Sequence, residues 1–335
     1  MKKLLGITAL LTALFCMAGA AIAAQAQTKL TIYSAPFGRT GYIMGSACED
    51  IIKRSSTGIS ITQEEGFGMI YNIKKLESAS KEERKGMIIM GTLTSMWQAQ
   101  SGKPPFKKKT VPDMRILFNM YLSTSLFMTR DPNIKSVEDF AGKIVAIGQK
   151  SQDVYGTFLW DHINVGYNMG NKVNVQWIGN AAAISSFKDG LANVSVADVL
   201  NNAVTGEAVA GPASLELQAS FDDVRFIGSS KEALDRVIAK TGIPYTIVSM
   251  PAGTFANQTE TILTLGTPNF WAASLEMPED VAYGFVKAII DNVGAFETYH
   301  AAGRLITREA LCYGLSKEML HPGAYRAYKE AGLMK

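Results

Sequence analysis

Short hydrophobic runs alternate with amphipathic segments along most of the chain. The β-branched runs "LTIYSA", "GISIT" and "GMIIMGT" predict strands. Segments between them, such as "YIMGSACEDIIKRS", repeat apolar residues at helical spacing, and Lys53 and Arg54 fall in the last turn, where cations are favoured. This alternation is typical of βαβ units and predicts an α/β fold with mostly parallel sheets.

The long uncharged run from Ile116 to Thr129 predicts a strand that leaves a first lobe. A second set of strands and helices follows, and after "VRFIGSS" the pattern predicts a return to the first lobe. We therefore predict a discontinuous first lobe of residues 27–120 and 224–335 and a second lobe of residues 121–223. Two crossing strands would form a hinge, which suits closure around a ligand.

The N-terminal 26 residues have the features of a secretory signal peptide. Lys2 and Lys3 precede an apolar run that ends in small residues of the A-x-A type. We therefore expect residues 1–26 to be removed and the mature protein to act in the periplasm. No later stretch has eighteen uncharged apolar residues, so the sequence predicts no further membrane span.

Charge gives no case for a nucleic-acid partner. The full chain has 33 basic and 30 acidic residues, and loss of Lys2 and Lys3 leaves 31 against 30, a formal charge of +1. A nearly neutral protein lacks the basic surface that phosphate backbones and anionic membranes attract.

Two cysteines, Cys48 and Cys312, remain after processing. In an exported protein they are able to pair, and each is equally readable as a small buried hydrophobic residue. Spacing alone leaves both readings open.

Motifs for catalysis, metals and cofactors are absent from the sequence. No G-x-S-x-G, H-E-x-x-H, Walker A or paired C-x-x-C pattern occurs, and "EGFGMIY" lacks the third glycine of a dinucleotide loop. His162 and His300 have no histidine or cysteine at ligand spacing. We therefore predict a protein that is not an enzyme, with no metal and no cofactor.

Four loops rich in glycine or small residues each follow a predicted strand and precede a predicted helix: "APFGRTGY", "EEGFGMIYN", "GQKSQDVYG" and "GNAAAIS". Such loops line a crevice at the carboxyl ends of strands, where free helix N–H groups accept anions. Any one of them also reads as a tight turn, but four in matching positions favour a ligand site.

Several segments resemble the TAXI family (TRAP-associated extracytoplasmic immunogenic proteins), the exported solute receptors of one class of TRAP transporter. Gly38, Thr40 and Tyr42 match an N-terminal G-G-T-Y-Y pattern, and Gly66, offset, and Asn72 match a G-S-x-x-N pattern. "SVEDFAGKIVAIGQKS", "FKDGLANVSVAD" and "LHPGAYRAYKEAGL" are similar to three further family segments.

The resemblance implies a two-lobe, type II-like periplasmic binding protein that acts as a monomer and delivers a small ligand to a membrane permease of the fused type. The ligand expected is a small carboxylate-containing solute such as an amino acid, a dicarboxylate or an oxo-acid. Two alternatives stay open: a ligand-sensing subunit that signals to a membrane sensor, and an exported enzyme.

The residues predicted to bind the ligand come from the four loops and from aromatic candidates for the cleft walls. Where the family has glycine and S-G-T, this chain has Arg39 and Ser151-Gln152-Asp153. We hypothesise that Arg39 holds a carboxylate bidentately and that Asp153 faces an ammonium or hydroxyl group; both are equally compatible with a position facing solvent. The predicted set is Arg39, Thr40, Tyr42, Gly66, Phe67, Asn72, Tyr121, Ser151, Asp153, Tyr155, Asn180 and Trp271.

His321 precedes Pro322 and Gly323 at the start of the last predicted helix. Proline suits the first helical position because its missing N–H costs nothing there. We interpret His321 as the structural N-cap of a packing helix.

Overall fold

The computed structural model describes residues 27–335, so the predicted signal peptide lies outside the described residues. This part of the chain contains eleven strands, of which the fourth and the last are the longest. They are β1 (Thr28–Tyr33), β2 (Ile59–Glu64), β3 (Met87–Thr92), β4 (Met114–Thr129), β5 (Ile144–Ile147), β6 (Asn174–Trp177), β7 (Val194–Asn201), β8 (Ala208–Ala210), β9 (Arg225–Ile227), β10 (Thr246–Met250) and β11 (Ile262–Ser274).

Helices connect most of these strands. They are α1 (Thr40–Arg54), α2 (Met69–Ser78), α3 (Lys81–Arg84), α4 (Leu93–Ser101), α5 (Phe158–Asp161), α6 (Asn180–Lys188), α7 (Pro212–Ser220), α8 (Lys231–Thr241), α9 (Glu279–Asp291) and α10 (Pro322–Glu330). Helix α5 is extended at both ends by π-helical turns, Asp153–Thr157 and His162–Gly166. Within residues 27–335 no helix is both long and apolar enough to cross a bilayer.

The strands form one mixed sheet in the order β2-β1-β3-β11-β4-β7-β5-β6. Strand β1 pairs in parallel with β2 and β3, and β5 pairs in parallel with β6 and β7. Between these flanks, β11 and β4 run antiparallel to each other and to their outer neighbours. The predicted α/β fold of two lobes is confirmed, and the sheet is mixed because the two crossing strands run in opposite directions.

The hydrophobic core divides along strand β4. Residues up to Tyr121 pack in a core with helices α1, α9 and α10, whereas Leu122 and Leu126 pack with Val199 and Leu217. Burial of apolar side chains stabilises each lobe by about 25 cal/mol per Å² removed from water. Two separate cores joined by long strands allow the lobes to move as units.

The sequence pattern predicts that residues 225–250 belong to the first lobe, whereas their contacts favour the second lobe. Strand β9 pairs with Phe127–Thr129, at the end of β4 that β11 does not reach. Leu234 and Val237 of α8 pack in one cluster with Phe158. The sequence pattern predicts the type of each element but not the strand with which it pairs. The backbone groups of β4 that β11 leaves unpaired need hydrogen-bond partners, and β9 supplies them. We propose that the return to the first lobe occurs within β11.

Cys48 and Cys312 are both free and buried. Burial raises the pKa of each thiol, so both stay protonated at neutral pH. The structure therefore favours the interpretation of these residues as small buried hydrophobic side chains.

The interpretation of His321 as an N-cap is confirmed. Its Nδ1 accepts a hydrogen bond from the Gly323 N–H at 3.3 Å, and its Nε2 lies 3.1 Å from the Met277 carbonyl oxygen. The side chain is buried, and Pro322 occupies the first turn of α10. His321 therefore joins α10 to the segment before α9 and has a structural role.

His162 is a second buried histidine and begins the π-helical turn that follows α5. Its Nδ1 lies 2.7 Å from Ser229 Oγ, and its ring packs against Phe127 and Phe158. Burial lowers the pKa of His162 to about 3. The folded state therefore holds the neutral ring, while the unfolded chain takes up a proton near pH 6.5.

We expect the free energy of unfolding to carry a His162 contribution that is fully present above about pH 6.5 and lost as pH falls towards 3. Each pH unit in this window removes about 1.4 kcal/mol, or about 2–3 kcal/mol at pH 4.5. Urea unfolding of the wild type and of His162→Asn at pH 7.5 and 4.5 measures it. If the free energy of unfolding depends on pH equally in the two proteins, the contribution assigned to His162 is absent. The contributions of other buried groups are the same in both proteins and cancel in the comparison.

Candidate ligand-binding site

A cavity of about 270 Å³ lies between the two lobes. All four loops singled out in the sequence contribute to its wall, together with the crossing strands. Its lining residues are Ala35, Pro36, Arg39, Thr40, Gly41, Phe67, Gly68, Met69, Met90, Tyr121, Ser123, Gln152, Asp153, Val154, Tyr155, Asn180, Ala181, Asp198, Leu200, Pro212 and Asn269. The volume is that of a small solute.

The floor of the cavity is one face of the central sheet. Tyr121 and Ser123 alternate on β4, and Asp198 and Leu200 alternate on β7, with Ser123 directly opposite Leu200. Because side chains two apart share a face, these four project together. Asn269 of β11 joins them at a register shift between β11 and β4, where a bulge redirects side chains.

Four helices begin at the cavity. Helix N-termini carry unsatisfied N–H groups and a partial positive charge. At α6 one such group is taken, because Gln152 Oε1 accepts from the Asn180 N–H at 3.1 Å. None of the four N-cap residues supplies a side-chain cap to its own helix, namely Arg39 of α1, Gly68 of α2, Gly179 of α6 and Gly211 of α7. The cavity is therefore suited to part of an anionic ligand.

Arg39 is the only Lys or Arg side chain that lines the cavity in the described part of the chain. It is half-buried, and no carboxylate among residues 27–335 lies within ion-pair distance of it. It follows the first strand of the first lobe, yet its charge acts on Asp198 and Tyr155 of the second lobe. A guanidinium without a partner at a cleft between lobes is suited to bind a carboxylate with two parallel hydrogen bonds.

Asp198 presents a buried carboxyl group from the middle of β7. Ser214 Oγ donates to its Oδ1 at 2.9 Å and accepts from its backbone N–H at 2.9 Å. Gly211 is required beside it, because a Cβ there would overlap Asp198 Oδ2. Burial raises the pKa of Asp198, while Ser214 and the Arg39 guanidinium oppose this rise.

Asp153 connects the two lobes. It begins the π-helical turn that precedes α5 in the second lobe. Its Oδ2 accepts hydrogen bonds from two hydroxyl groups of the first lobe, Thr92 Oγ1 at 2.5 Å and Thr94 Oγ1 at 3.2 Å. Burial raises the pKa of Asp153, and the hydrogen bond from Thr92 opposes the rise. This contact joins the two lobes in the structure.

Two tyrosines stand near these carboxyl groups. Burial, followed by the proximity of Asp198, raises the pKa of Tyr121 and of Tyr155 above the ordinary range. Both phenols are therefore neutral at physiological pH and able to donate a hydrogen bond.

The structure brings seven of the twelve predicted site residues together at the cavity, and Arg39 and Asp153 are both among them rather than in solvent. The seven are Arg39, Thr40, Phe67, Tyr121, Asp153, Tyr155 and Asn180.

Tyr42, Gly66, Asn72, Ser151 and Trp271 do not line the cavity. Asn72 is fully buried, and its Nδ2 donates to carbonyl oxygens at the ends of β1 and β3, including that of Met90 at 3.0 Å. Gly66 packs against Asn72, and Trp271 is fully buried in the first core. Ser151 is exposed, and Tyr42 packs edge-on against Phe37. Their roles are structural or peripheral.

Sequence reasoning missed the polar side chains that lie on the sheet. Asp198 and Asn269 are polar residues inside strands whose other positions are almost all buried and apolar. Burial of a carboxyl or amide group in such a strand costs free energy unless the group has a hydrogen-bond partner. A polar residue at such a position is therefore a sign of a possible site that the sequence already contains. The lining residues missed include Met90, Ser123, Gln152, Asp198 and Asn269.

Among the described residues, no group of three His, Cys, Asp or Glu side chains is arranged to hold a metal ion.

A cavity between two α/β lobes that share crossing strands is characteristic of the periplasmic binding protein fold. R. palustris Rpa4515, solved with adipate, is similar in fold, with a TM-score of 0.51 and 14% identity over 92% of this chain and 93% of that one. MatC (Rpa3494) from Rhodopseudomonas palustris, solved with bound malate, has a TM-score of 0.51 and 12% identity over 91% and 96%. A model of the NMT1-like family matches residues 32–332, and the chain belongs to that family.

Proposed function

We propose that this protein is the extracytoplasmic receptor of a TRAP transporter of the TAXI class. It would capture a small carboxylate-containing solute by closure of its lobes and deliver it to a membrane permease of the fused type. The observation that carries the proposal is an Arg39 guanidinium with no ion-pair partner among residues 27–335, at a cavity formed by both lobes.

The anionic group of the solute is assigned to Arg39 and the helix N-termini around it. Arg39 has no ion-pair partner among residues 27–335, so a carboxylate there would gain a contact without breaking an existing ion pair. The cavity of about 270 Å³ restricts the solute to a small molecule.

Closure is supported by the arrangement of the contacts. Arg39 and Phe67 belong to the first lobe, and Tyr155 and Asn180 belong to the second. A solute that contacts both sets at once stabilises the closed state by its differential contacts. The closed form would then be the one that the permease recognises.

The TAXI assignment rests on the sequence segments that resemble that family, and on their positions. Thr40, from one segment, lines the cavity, and the loop after "SVEDFAGKIVAIGQKS" supplies Gln152 and Asp153. We further propose a monomeric, periplasmic protein without catalytic activity or cofactor.

The first test is ligand binding by the stripped protein. We would unfold and refold the mature chain, then measure thermal unfolding with amino acids, dicarboxylates and oxo-acids. A solute at a hundred times its dissociation constant stabilises the fold by about 2.7 kcal/mol, which raises the midpoint by several degrees. No shift with any carboxylate, in protein shown to be folded, would reject the proposed function. Loss of uptake of the same solute after deletion of the gene would support transport.

A further inference from the structure

The cavity holds more hydrogen-bond acceptors than a carboxylate alone requires. Four of its side chains are more than nine-tenths buried and carry a carboxyl or amide oxygen: Asp153 and Asp198 are 7% exposed, Asn180 4% and Asn269 3%. A carboxylate accepts hydrogen bonds and donates none, so it cannot satisfy these groups.

Two of the acceptors have no donor in residues 27–335. Asn269 Nδ2 donates to Ser123 Oγ at 2.7 Å, and this bond leaves the Oδ1 of Asn269 buried without a partner. The Oδ1 of Asn180 is also buried without a partner. A buried acceptor left unpaired costs about 1–3 kcal/mol, so this wall is better matched by a solute that carries donors than by one with acceptors alone.

Asp198 adds a carboxyl acceptor on the other side of β4 from Asn269. Ser214 supplies a donor to Oδ1, and no side chain in the described chain donates to Oδ2 within 3.5 Å. Asp198 lies opposite Ser125, whereas Asn269 bonds to Ser123, and both line the cavity. The Oδ2 atom of Asp198 defines the amine subsite considered below.

Charge separates the candidate solutes. The charged residues that line the cavity are one cation, Arg39, and two carboxyl groups, Asp153 and Asp198. A dicarboxylate would bring two further negative charges to a single guanidinium. A zwitterion brings one charge of each sign, and its ammonium group has three N–H donors and no acceptor.

We propose that the solute carries a primary ammonium group, held by Asp198 at the amine subsite, together with a carboxylate held by Arg39. This inference rests on the proposed function and narrows it to amino acids and similar zwitterions. A solute with a hydroxyl or oxo group in place of the amine loses the charge pairing with Asp198.

The test keeps the carbon skeleton constant and changes only the nitrogen. We would titrate the stripped mature protein by calorimetry with three triads: alanine, lactate and pyruvate; aspartate, malate and oxaloacetate; glutamate, 2-hydroxyglutarate and 2-oxoglutarate. Lysine and ornithine extend the amine series to larger cations. In every triad with a member that binds, we expect the amino acid to bind at least about tenfold tighter than the hydroxy-acid and the oxo-acid of the same skeleton.

Asp198→Asn tests the subsite directly. The change keeps the shape and removes the charge, so we expect amine binding to weaken by about 10- to 100-fold and the preference over the hydroxy-acid to shrink. Asp189→Asn is the matched control, because Asp189 is exposed at the far end of α6 from Asn180. Thermal unfolding of each variant confirms that it is folded.

The outcomes separate the two proposals. If a hydroxy-acid, oxo-acid or dicarboxylate binds as tightly as its amine, the amine subsite is rejected and the carboxylate receptor stands. Unchanged preference in Asp198→Asn also rejects the subsite. If no carboxylate binds at all to the folded protein, the proposed function itself fails.

Discussion

Replacement of Arg39 by alanine is expected to weaken binding of the solute by about 10- to 100-fold. The guanidinium is the only cation at the described cavity, and a bidentate contact with a carboxylate combines charge with two aligned hydrogen bonds. Hydrogen bonds to charged groups contribute about 1.5–3 kcal/mol, and each decade of affinity corresponds to about 1.4 kcal/mol. Calorimetry with a solute found in the thermal panel measures the change.

Two variants make the result specific. Arg39→Lys keeps the charge but loses the planar fork, so its affinity should fall between those of the wild type and Arg39→Ala. Arg54→Ala removes an arginine at the other end of the same helix, where the side chain is 61% exposed and pairs with Asp50, and it should bind normally. Unchanged affinity in Arg39→Ala would remove this residue from the site.

Thr92→Val is expected to open the cleft and weaken binding by about tenfold or more. The change removes the donor that lies 2.5 Å from Asp153 Oδ2, so the closed state would bury a carboxylate with one hydrogen bond fewer between the lobes. A shift of the equilibrium towards the open state lowers the apparent affinity by the fraction of closed protein lost. Small-angle X-ray scattering without ligand should give a larger radius of gyration than for the wild type.

Thr92→Ser is the matched control. Thr92 also caps helix α4 by accepting from the Ser95 N–H, so valine lowers stability by about 1 kcal/mol in addition to its effect on closure. Serine retains a hydroxyl for both contacts and should behave as the wild type does. Identical scattering by Thr92→Val and Thr92→Ser would show that the bond to Asp153 does not hold the lobes together.

Much of the binding region was readable from the sequence. The alternation of apolar runs and amphipathic segments gave the α/β lobes, and strand ends followed by small-residue loops gave the four loops that meet at the cavity. Local pattern suffices here because the carboxyl ends of parallel strands meet at one edge of a sheet. Arg39 and Asp153 were accessible to this reasoning because each begins a helix.

The sheet floor and the lobe boundary were not readable in the same way. Whether Asp198 and Asn269 face the cavity depends on the register of β7 with β4 and on a bulge in β11. The place of residues 225–250 depends on which edge of β4 is unoccupied. Trp271 and Asn72 were predicted as ligand contacts because their residue types are common in binding sites. In the structure both are fully buried among neighbouring side chains.

The sequence by itself determined the class of fold, the crossing strand β4, the four cavity loops and the histidine cap of the last helix. These follow from periodicity, residue propensity and capping, which act over a few neighbouring residues. Only the tertiary structure decided which side chains share the cavity, that Asp153 bonds to Thr92 across the cleft, and that Asp198 lies on its floor. The physical reason is that strand pairing and packing join residues far apart in the chain, and their register is set by the whole sheet.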